Sequence, residues 1–176
     1  IQTRNISGNS YVWSDIPDRK ITLDTCKRYG VMVARQNQTI TEHRYPYYDG
    51  DGNNLANKYR KTQTKDFWSE GTLGQCGLFG EHMFNQPGKY ITVCEGEIDA
   101  MSAFQLLGSK YASVSIKNGA TGALKNCKQS LTYLNKFENI VLCFDNDAAG
   151  RSAATEVARL FEPNKCKIIN LEHKDA

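Results

Sequence analysis

Apolar and aromatic residues form only short runs in the first half of the chain. Helical spacing begins after Thr22, a good N-cap residue, and stops at Gly30, which predicts a short helix. Strands are predicted at 31–34, 40–48 and 55–60, the last two joined by the hairpin loop DGDGNN. The Gly-rich segment 70–88 is typical of a linker or of a loop packed between two units. We therefore predict a small N-terminal α+β subdomain with an antiparallel hairpin over residues 1–88.

The second half of the chain has a more regular pattern, in which apolar runs of strand length alternate with helically spaced apolar residues. Strands are predicted at 90–94, 111–116, 139–144 and 166–171, and helices at 98–107, 122–135 and 149–161. This alternation is typical of a parallel sheet flanked by helices, with right-handed crossovers. The prediction for residues 89–176 is therefore an α/β subdomain.

Carboxylates follow three of these four strands, in the sequences CEGEIDA, FDNDAAG and KDA. They are Glu95, Glu97, Asp99, Asp145, Asp147 and Asp175. Because the carboxyl ends of parallel strands meet at one edge of a sheet, we expect these acids to lie together. A helix N-cap explains either of the first two clusters alone about as well. Clustered carboxylates repel unless a cation holds them, and oxygen ligands without His or Cys favour Mg²⁺ or Mn²⁺ over Zn²⁺.

Basic and aromatic residues are interleaved in the sequence NKYRKTQTKDFW, residues 57–68. Lys58 and Arg60 come first, and either Lys61 or Lys65 can be the next cation on the same surface. Cations contact phosphates and aromatic rings stack on bases, so this segment is a candidate surface for nucleotides or a single strand. A solvated strand edge that carries lysines against aggregation explains the same pattern.

The loop KNGATG, residues 117–122, follows the second strand of the parallel sheet. It combines the cation Lys117, the turn residue Gly119 and the start of a helix at the same predicted sheet edge as the acids. Such a loop can hold a phosphate or bring the backbone close to one. We therefore include Lys117 and Gly119 among the candidate nucleotide-binding residues.

Composition narrows the class of protein. A chain of 176 residues is long enough for one domain or two small ones, and a net charge of +3 is compatible with a polyanionic partner. No apolar run reaches membrane-spanning length and no signal-peptide pattern is present, so we expect a cytoplasmic protein with no membrane partner. None of the six cysteines is in CxxC spacing, which favours reduced thiols over a disulfide framework.

The segments EGEIDA and FDNDAAG together resemble the signature of the TOPRIM domain, found in bacterial-type primases, type IA and type II topoisomerases and some nucleases. With the segments DTCKRYG, KYRKTQTKDF, LFGEHMF, NGATGALK and KDA, the resemblance narrows. Nearly the whole chain is similar to the RNA-polymerase domain of the T7-like phage primase-helicases, to which mitochondrial Twinkle is related.

The resemblance implies a DNA primase that synthesises short RNA primers from ribonucleoside triphosphates on single-stranded DNA with Mg²⁺ or Mn²⁺. It implies Glu95, Asp145 and Asp147 as catalytic residues, and all six acids as metal-binding residues. The basic positions Lys58, Arg60 and Lys65 match nucleotide-contacting positions of the family. Zinc-binding and helicase domains of a parent chain are implied partners, and the host cytoplasm is the implied location if the protein is phage-encoded. A TOPRIM nuclease and an inactive single-stranded-DNA-binding module are the alternatives.

Overall fold

The N-terminal part of the chain folds as a five-stranded antiparallel sheet in a computed structural model that describes residues 8–169. The strands lie in chain order, β1 to β5, and a helix, α1, connects the first two. Their bounds are Tyr11–Val12 for β1, Leu23–Tyr29 for α1, Met32–Gln36 for β2, Thr39–Tyr48 for β3, Asn54–Lys61 for β4 and Phe67–Gly71 for β5. The predicted helix is confirmed, with Thr22 accepting a hydrogen bond from the Thr25 amide and Gly30 ending it at a φ of 76°.

The sequence pattern missed two strands of this sheet. β1 has only two residues and lies in the polar opening segment, so it offers no alternation to detect. β5 lies across the end of the basic segment and the start of the Gly-rich one, where neither composition suggests a strand. The predicted hairpin of β3 and β4 is confirmed. Of the two missed strands, β5 pairs with β4, whereas β1 pairs with β2 at the other edge of the sheet.

The C-terminal part of the chain folds as a four-stranded parallel sheet, as predicted. Its order is β7-β6-β8-β9, so β6 and β8 are the central strands. The bounds are Gly88–Cys94 for β6, Glu97–Leu106 for α2, Ala112–Ser115 for β7, Ala123–Gln129 for α3, Leu131–Leu134 for α4, Phe137–Cys143 for β8, Ala148–Ala158 for α5 and Cys166–Ile168 for β9.

The helix predicted at 122–135 is in fact two helices, α3 and α4. Ser130 separates them with a φ of −97° and a ψ of 18°, and its hydroxyl donates to Glu81 at 2.8 Å. Helical spacing of the apolar residues continues through this break, so the pattern alone could not reveal it. The last predicted strand extends beyond the described residues.

The two sheets share a hydrophobic core. The antiparallel sheet contributes Tyr45 and Tyr47, and α2 contributes Met101 and Phe104 to the same buried cluster. The 70–88 segment packs between the sheets, because Phe79 is fully buried and forms a two-bond bridge with Ser115 at the end of β7. The division into subdomains 1–88 and 89–176 stays a prediction.

A second cluster lies between the parallel sheet and helices α3, α4 and α5. All six cysteines are free thiols, four buried and two half-buried. In the part of the chain that the structure describes, no helix is long and apolar enough to span a bilayer.

Candidate functional site

A cleft of about 710 Å³ lies between the carboxyl edge of the parallel sheet and one face of the antiparallel sheet. Its lining includes nine of the residues predicted from sequence: Lys58, Arg60, Lys65, Glu95, Glu97, Asp99, Lys117, Gly119 and Asp145. We call Glu95, Asp99 and Asp145 the acidic edge, and Lys58, Arg60 and Lys65 the basic wall. Asp147 lies beside the cleft rather than in its lining, and Asp175 lies outside the described residues.

Glu95 follows β6 directly and is held by backbone amides. One carboxylate oxygen accepts from the Ala120 amide at 3.2 Å, and the other accepts from the Asp145 amide at 3.3 Å. Burial raises the pKa of Glu95, and the negative charges of Asp145 and Asp147 raise it further, although the two amide bonds oppose the shift. Among the described residues, no lysine or arginine forms an ion pair with this carboxylate.

Asp99 lies in the first turn of α2, where its carboxylate accepts from the Gly96 amide at 3.1 Å. Asp99 is the third residue of α2, and its bond to the amide of the N-cap Gly96 fixes the position of the acid at the helix start. Burial raises the pKa of Asp99 to about 6, with a further contribution from the charge of Asp145. Asp145 follows β8 and Asp99 lies at the start of the helix after β6, so these two carboxylates interact electrostatically across the edge of the sheet.

Asp147 acts as the N-cap of α5. Its carboxylate accepts from the Gly150 amide at 2.9 Å. A Cβ at Gly150 would lie 2.1 Å from the carbonyl oxygen of Asp145, so this tight turn requires glycine. The turn keeps the charge of Asp147 close enough to Glu95 to raise the pKa of that residue.

Glu97 has different surroundings from the other acids. It is only 5% exposed, and one carboxylate oxygen accepts from the Lys58 ammonium and from the Tyr47 hydroxyl, both at 2.7 Å. Lys58 also donates to the carbonyl oxygen of Lys117 at 2.9 Å. The charge of Glu97 is thus balanced within the protein, and this ion pair joins β4 of the antiparallel sheet to the start of α2 in the cleft lining.

The basic wall is built on β4 and β5. Lys58 and Arg60 alternate onto the cleft face, and the Phe67 ring lies against both, at 4.8 Å from the Lys58 ammonium and 5.5 Å from the Arg60 guanidinium carbon. Lys65 enters the cleft lining from the connecting turn, where its φ is 61°. Lys61 lies against the Trp68 ring instead. Of these two lysines, Lys65 lines the cleft and Lys61 does not.

The loop after β7 contributes a backbone amide to the site, whereas its lysine is bonded inside the protein. The Lys117 ammonium is buried and donates to the carbonyl oxygen of Cys76 and to the side chain of Gln129. Burial lowers the pKa of Lys117. Gly119, at a φ of 68°, then turns the chain so that the Ala120 amide faces Glu95.

Sequence analysis missed Arg19 and Tyr45. Arg19 ends the 3-10 turn Pro17–Arg19, lines the cleft, and its charge lowers the pKa of Asp99. No periodicity marks this segment, so only the tertiary fold brings the arginine to the site. Tyr45 is 1% exposed and lies in the cleft lining beside Arg60.

The acidic edge has the donor chemistry of a divalent-cation site. Its members are hard oxygen donors, and the charge of Asp145 raises the pKa of both Glu95 and Asp99. Within residues 8–169, no three His, Cys, Asp or Glu side chains converge closely enough to enclose a metal ion. The residues therefore fit such an ion by charge and chemistry.

Comparison with known proteins relates this cleft to primases. The Toprim-like family matches residues 92–176. The chain is 34% identical over 172 residues to the DNA helicase/primase of Enterobacteria phage T3, covering 98% of this chain and 30% of that protein. The chain therefore spans about a third of the length of this relative. A DNA primase of Campylobacter jejuni is 37% identical over 78 residues, covering 44% of this chain and 12% of that protein.

Solved structures extend the comparison to the fold. The primase fragment of the bacteriophage T7 primase-helicase superposes with a TM-score of 0.86 at 34% identity, covering 98% of this chain and 71% of that one. The Escherichia coli primase catalytic core has the same fold, with a TM-score of 0.64 at 17% identity, covering 90% of this chain and 64% of that one. This chain therefore belongs to the family of Toprim-like primase domains found in the T7-like phage primase-helicases.

Proposed function

We propose that this chain is the RNA-polymerase domain of a DNA primase, which synthesises short RNA primers from ribonucleoside triphosphates on single-stranded DNA. The observation that carries the proposal is the cleft itself, which has a volume of about 710 Å³ and is lined by both the acidic edge and the basic wall. A nucleotidyl transfer needs both charges, since phosphates must be bound while a metal-binding carboxylate set lies at the reacting centre. Family membership supports the same reaction.

The metal ions of this reaction are Mg²⁺ or Mn²⁺, and the candidate ligands are Glu95, Asp99, Asp145 and Asp147, together with Asp175 beyond the described residues. Such an ion, when bound, activates the attacking 3′-hydroxyl and stabilises charge on the leaving pyrophosphate. Asp147 uses Oδ1 as the N-cap acceptor, so Oδ2 is its candidate metal-binding oxygen. Glu97 serves differently in the proposal, because its carboxylate is already paired with Lys58.

The side chains of the cleft have separate tasks in the proposed reaction. Glu95 is the candidate proton acceptor for the 3′-hydroxyl, because its raised pKa brings it closer to neutral pH. Arg60, Lys65 and Arg19 bind the triphosphate or the template backbone. Phe67 is 51% exposed beside two cations, so a base can stack on it.

Single-stranded DNA and ribonucleoside triphosphates are the proposed partners. A related T7 structure contains primase domains bound to an RNA/DNA hybrid, in contact with the T7 lagging-strand DNA polymerase. The zinc-binding and helicase domains of a parent chain are further proposed partners, since the T3 relative is much longer than this chain. The proposed location is the cytoplasm of the host cell.

A primer-synthesis assay tests the proposal. Labelled ribonucleotides are supplied with Mg²⁺ or Mn²⁺ on single-stranded DNA, with and without a pre-made diribonucleotide, and the products are separated on a denaturing gel. We expect short RNA products that disappear in the Asp145→Asn variant. Cleavage of labelled single-stranded DNA without nucleotide incorporation would indicate the nuclease alternative, and template binding without either reaction would indicate the inactive binding module.

A further inference from the structure

Asn126 is a polar side chain of α3 that is only 4% exposed, and the proposed reaction assigns it no task. Its Oδ1 accepts a hydrogen bond from the backbone amide of Lys117 at 2.7 Å, and both groups are buried. Lys117 begins the loop 117–122, which lies between β7 and α3. A helix side chain is therefore bonded to the start of the loop whose Ala120 amide contacts Glu95.

The loop 117–122 is a compact turn that lies around the Asn126 oxygen. The Gly122 amide donates to the carbonyl oxygen of Gly119 at 3.0 Å, and a Cβ at Gly122 would lie 3.0 Å from Asn118 Cβ. The same Cβ would lie 3.8 Å from Asn126 Oδ1. Asn126 Oδ1 is therefore bonded to one end of the loop and lies close to the other end.

The far side of this loop contacts the acidic edge. The Ala120 amide donates to Glu95 Oε1 at 3.2 Å, and a Cβ at Gly119 would lie 3.8 Å from the same oxygen. The Asp145 amide donates to Oε2 at 3.3 Å. Glu95 follows β6 and the loop follows β7, so one of the two bonds that orient this carboxylate depends on where the neighbouring loop lies.

The backbone of Lys117 is fixed in two directions. Its amide donates to Asn126, and its carbonyl oxygen accepts from the Lys58 ammonium at 2.9 Å. Lys58 also pairs with Glu97 and lines the cleft, so a substitution there changes the charge of the site. Asn126 does not line the cleft, so its substitution loosens the loop without removing a charge.

We propose that Asn126 is a positioning residue that holds the loop 117–122 in place, so that the Ala120 amide orients the Glu95 carboxylate toward the attacking 3′-hydroxyl. This inference rests on the proposed function, because it assigns Glu95 the task of accepting that proton. The rate of transfer depends on Asn126 through the loop. Nucleotide binding by Arg60 and Lys65 does not, because the basic wall is built on β4 and β5.

Extension of a diribonucleotide on single-stranded DNA with Mg²⁺ tests this dependence. Asn126→Ala removes the acceptor of the Lys117 amide, and we expect kcat to fall about three- to tenfold with the KM for ribonucleoside triphosphates unchanged. Asn126→Asp keeps an acceptor oxygen at the same position and should recover most of the turnover. An unchanged kcat in Asn126→Ala, or no recovery in Asn126→Asp, would overturn the proposal.

Asn139→Ala is the matched control. Asn139 Nδ2 donates to the carbonyl oxygen of Lys89 at 3.1 Å near the amino ends of β6 and β8, so this variant also loses a side-chain bond to the backbone, away from the acids. It should leave kcat and KM unchanged. Circular dichroism melts establish a temperature at which all variants are folded. A loss of turnover equal to that of Asn126→Ala would indicate general destabilisation and overturn the positioning role.

Hydrogen exchange of the Ala120 amide, followed by nitrogen-15 NMR in the metal-free protein, provides a readout that needs no activity. We expect this amide to be protected in the wild-type protein and to exchange about three- to tenfold faster in Asn126→Ala and in Glu95→Ala. An unprotected Ala120 amide in the wild-type protein, or no acceleration in Asn126→Ala, would overturn the positioning role. If the wild-type protein makes no RNA, the proposed function fails, whereas this measurement still decides whether Asn126 holds the loop.

Discussion

The acidic edge and the basic wall line the same cleft, but their charges are held in opposite ways. On the acidic edge, Glu95 and Asp99 accept hydrogen bonds from backbone amides, and the charge of Asp145 raises the pKa of both. On the basic wall, Lys58 is neutralised by Glu97, and Phe67 lies against the Lys58 and Arg60 side chains. Within residues 8–169, Glu95 and Asp99 thus have no ion-pair partner, while part of the basic wall is already balanced.

This difference indicates that the carboxylates of the acidic edge need a bound cation to balance their charge, whereas the charge of Lys58 is balanced by the protein itself. Unbalanced carboxylates are costly in the free protein and become favourable when a divalent cation is present. A balanced ion pair contributes to the fold at all times, and it is costly only when one partner is removed. Substitutions on the acidic edge should therefore change activity more than stability, and a substitution at Lys58 should do the reverse.

Asp145→Asn is expected to have the largest effect on activity. It removes a charge from the reacting centre, and loss of a group that stabilises developing charge costs about a hundred- to thousandfold in turnover. Stability should not fall, because the substitution also relieves the repulsion of Glu95 and Asp99. A primer-synthesis assay measures the loss of turnover, and thermal unfolding of the same preparation measures the stability. Wild-type turnover by this variant would contradict the assignment of the acidic edge.

Lys58→Met should have the largest effect on stability. It leaves the Glu97 carboxylate buried without its cation, which costs about 3 kcal/mol in free energy of unfolding. Urea unfolding measures this loss. The double variant Lys58→Met with Glu97→Gln should recover most of it, because no charge then remains buried. A double variant as unstable as Lys58→Met would show that packing, rather than charge balance, explains the loss.

Arg60→Ala and Lys61→Ala are neighbouring substitutions that should differ in effect. Arg60 lines the cleft, whereas Lys61 lies against Trp68, so only the first should weaken nucleotide binding, by about tenfold. The affinity of the wild-type protein should also fall more steeply with salt than that of Arg60→Ala. Titrations at two salt concentrations make the comparison. Equal effects of the two substitutions would favour a diffuse basic surface over the defined wall.

Asp99→Asn should produce the smallest change, a gain in stability that depends on pH. The pKa of Asp99 is raised from its usual 3.8 to about 6, so stability provided by the protonated form is lost as the pH rises through 6. At pH 8 the variant should be more stable by about 1 kcal/mol, a value reduced for solvent screening. At pH 4 the two proteins should be alike. Metal-free unfolding curves at both pH values test this, and a variant that is less stable at pH 8 would contradict it.

The positions of Glu95 and Asp145 in the cleft were predictable from sequence because each comes just after a strand of the parallel sheet. Backbone topology alone brings Glu95 and Asp145 to one edge, since β6 and β8 are parallel neighbours. The side-chain partners were less predictable. Nothing in the spacing of Lys58 and Glu97 shows that they form an ion pair, because they are 39 positions apart, one in β4 and the other at the start of α2.

The sequence also did not show where the Lys117 side chain points, and it did not reveal the irregular segments that contain Arg19 and β1. The loop containing Lys117 was located correctly, but burial of the ammonium against Cys76 depends on how the 70–88 segment packs. Arg19 reaches the cleft from a 3-10 turn without periodicity, and β1 is too short to produce a pattern. Tertiary packing determines each of these features, so the local sequence pattern does not predict them.

The bridge between Phe79 and Ser115 also bears on aggregation. β7 is an outer strand of the parallel sheet, and an outer strand with free amides and carbonyls can pair with a strand from another molecule. Both backbone groups of Ser115 are already bonded to Phe79, at 3.1 and 3.0 Å. The segment that carries Phe79 therefore blocks this end of the strand against intermolecular pairing, and its detachment would favour self-association.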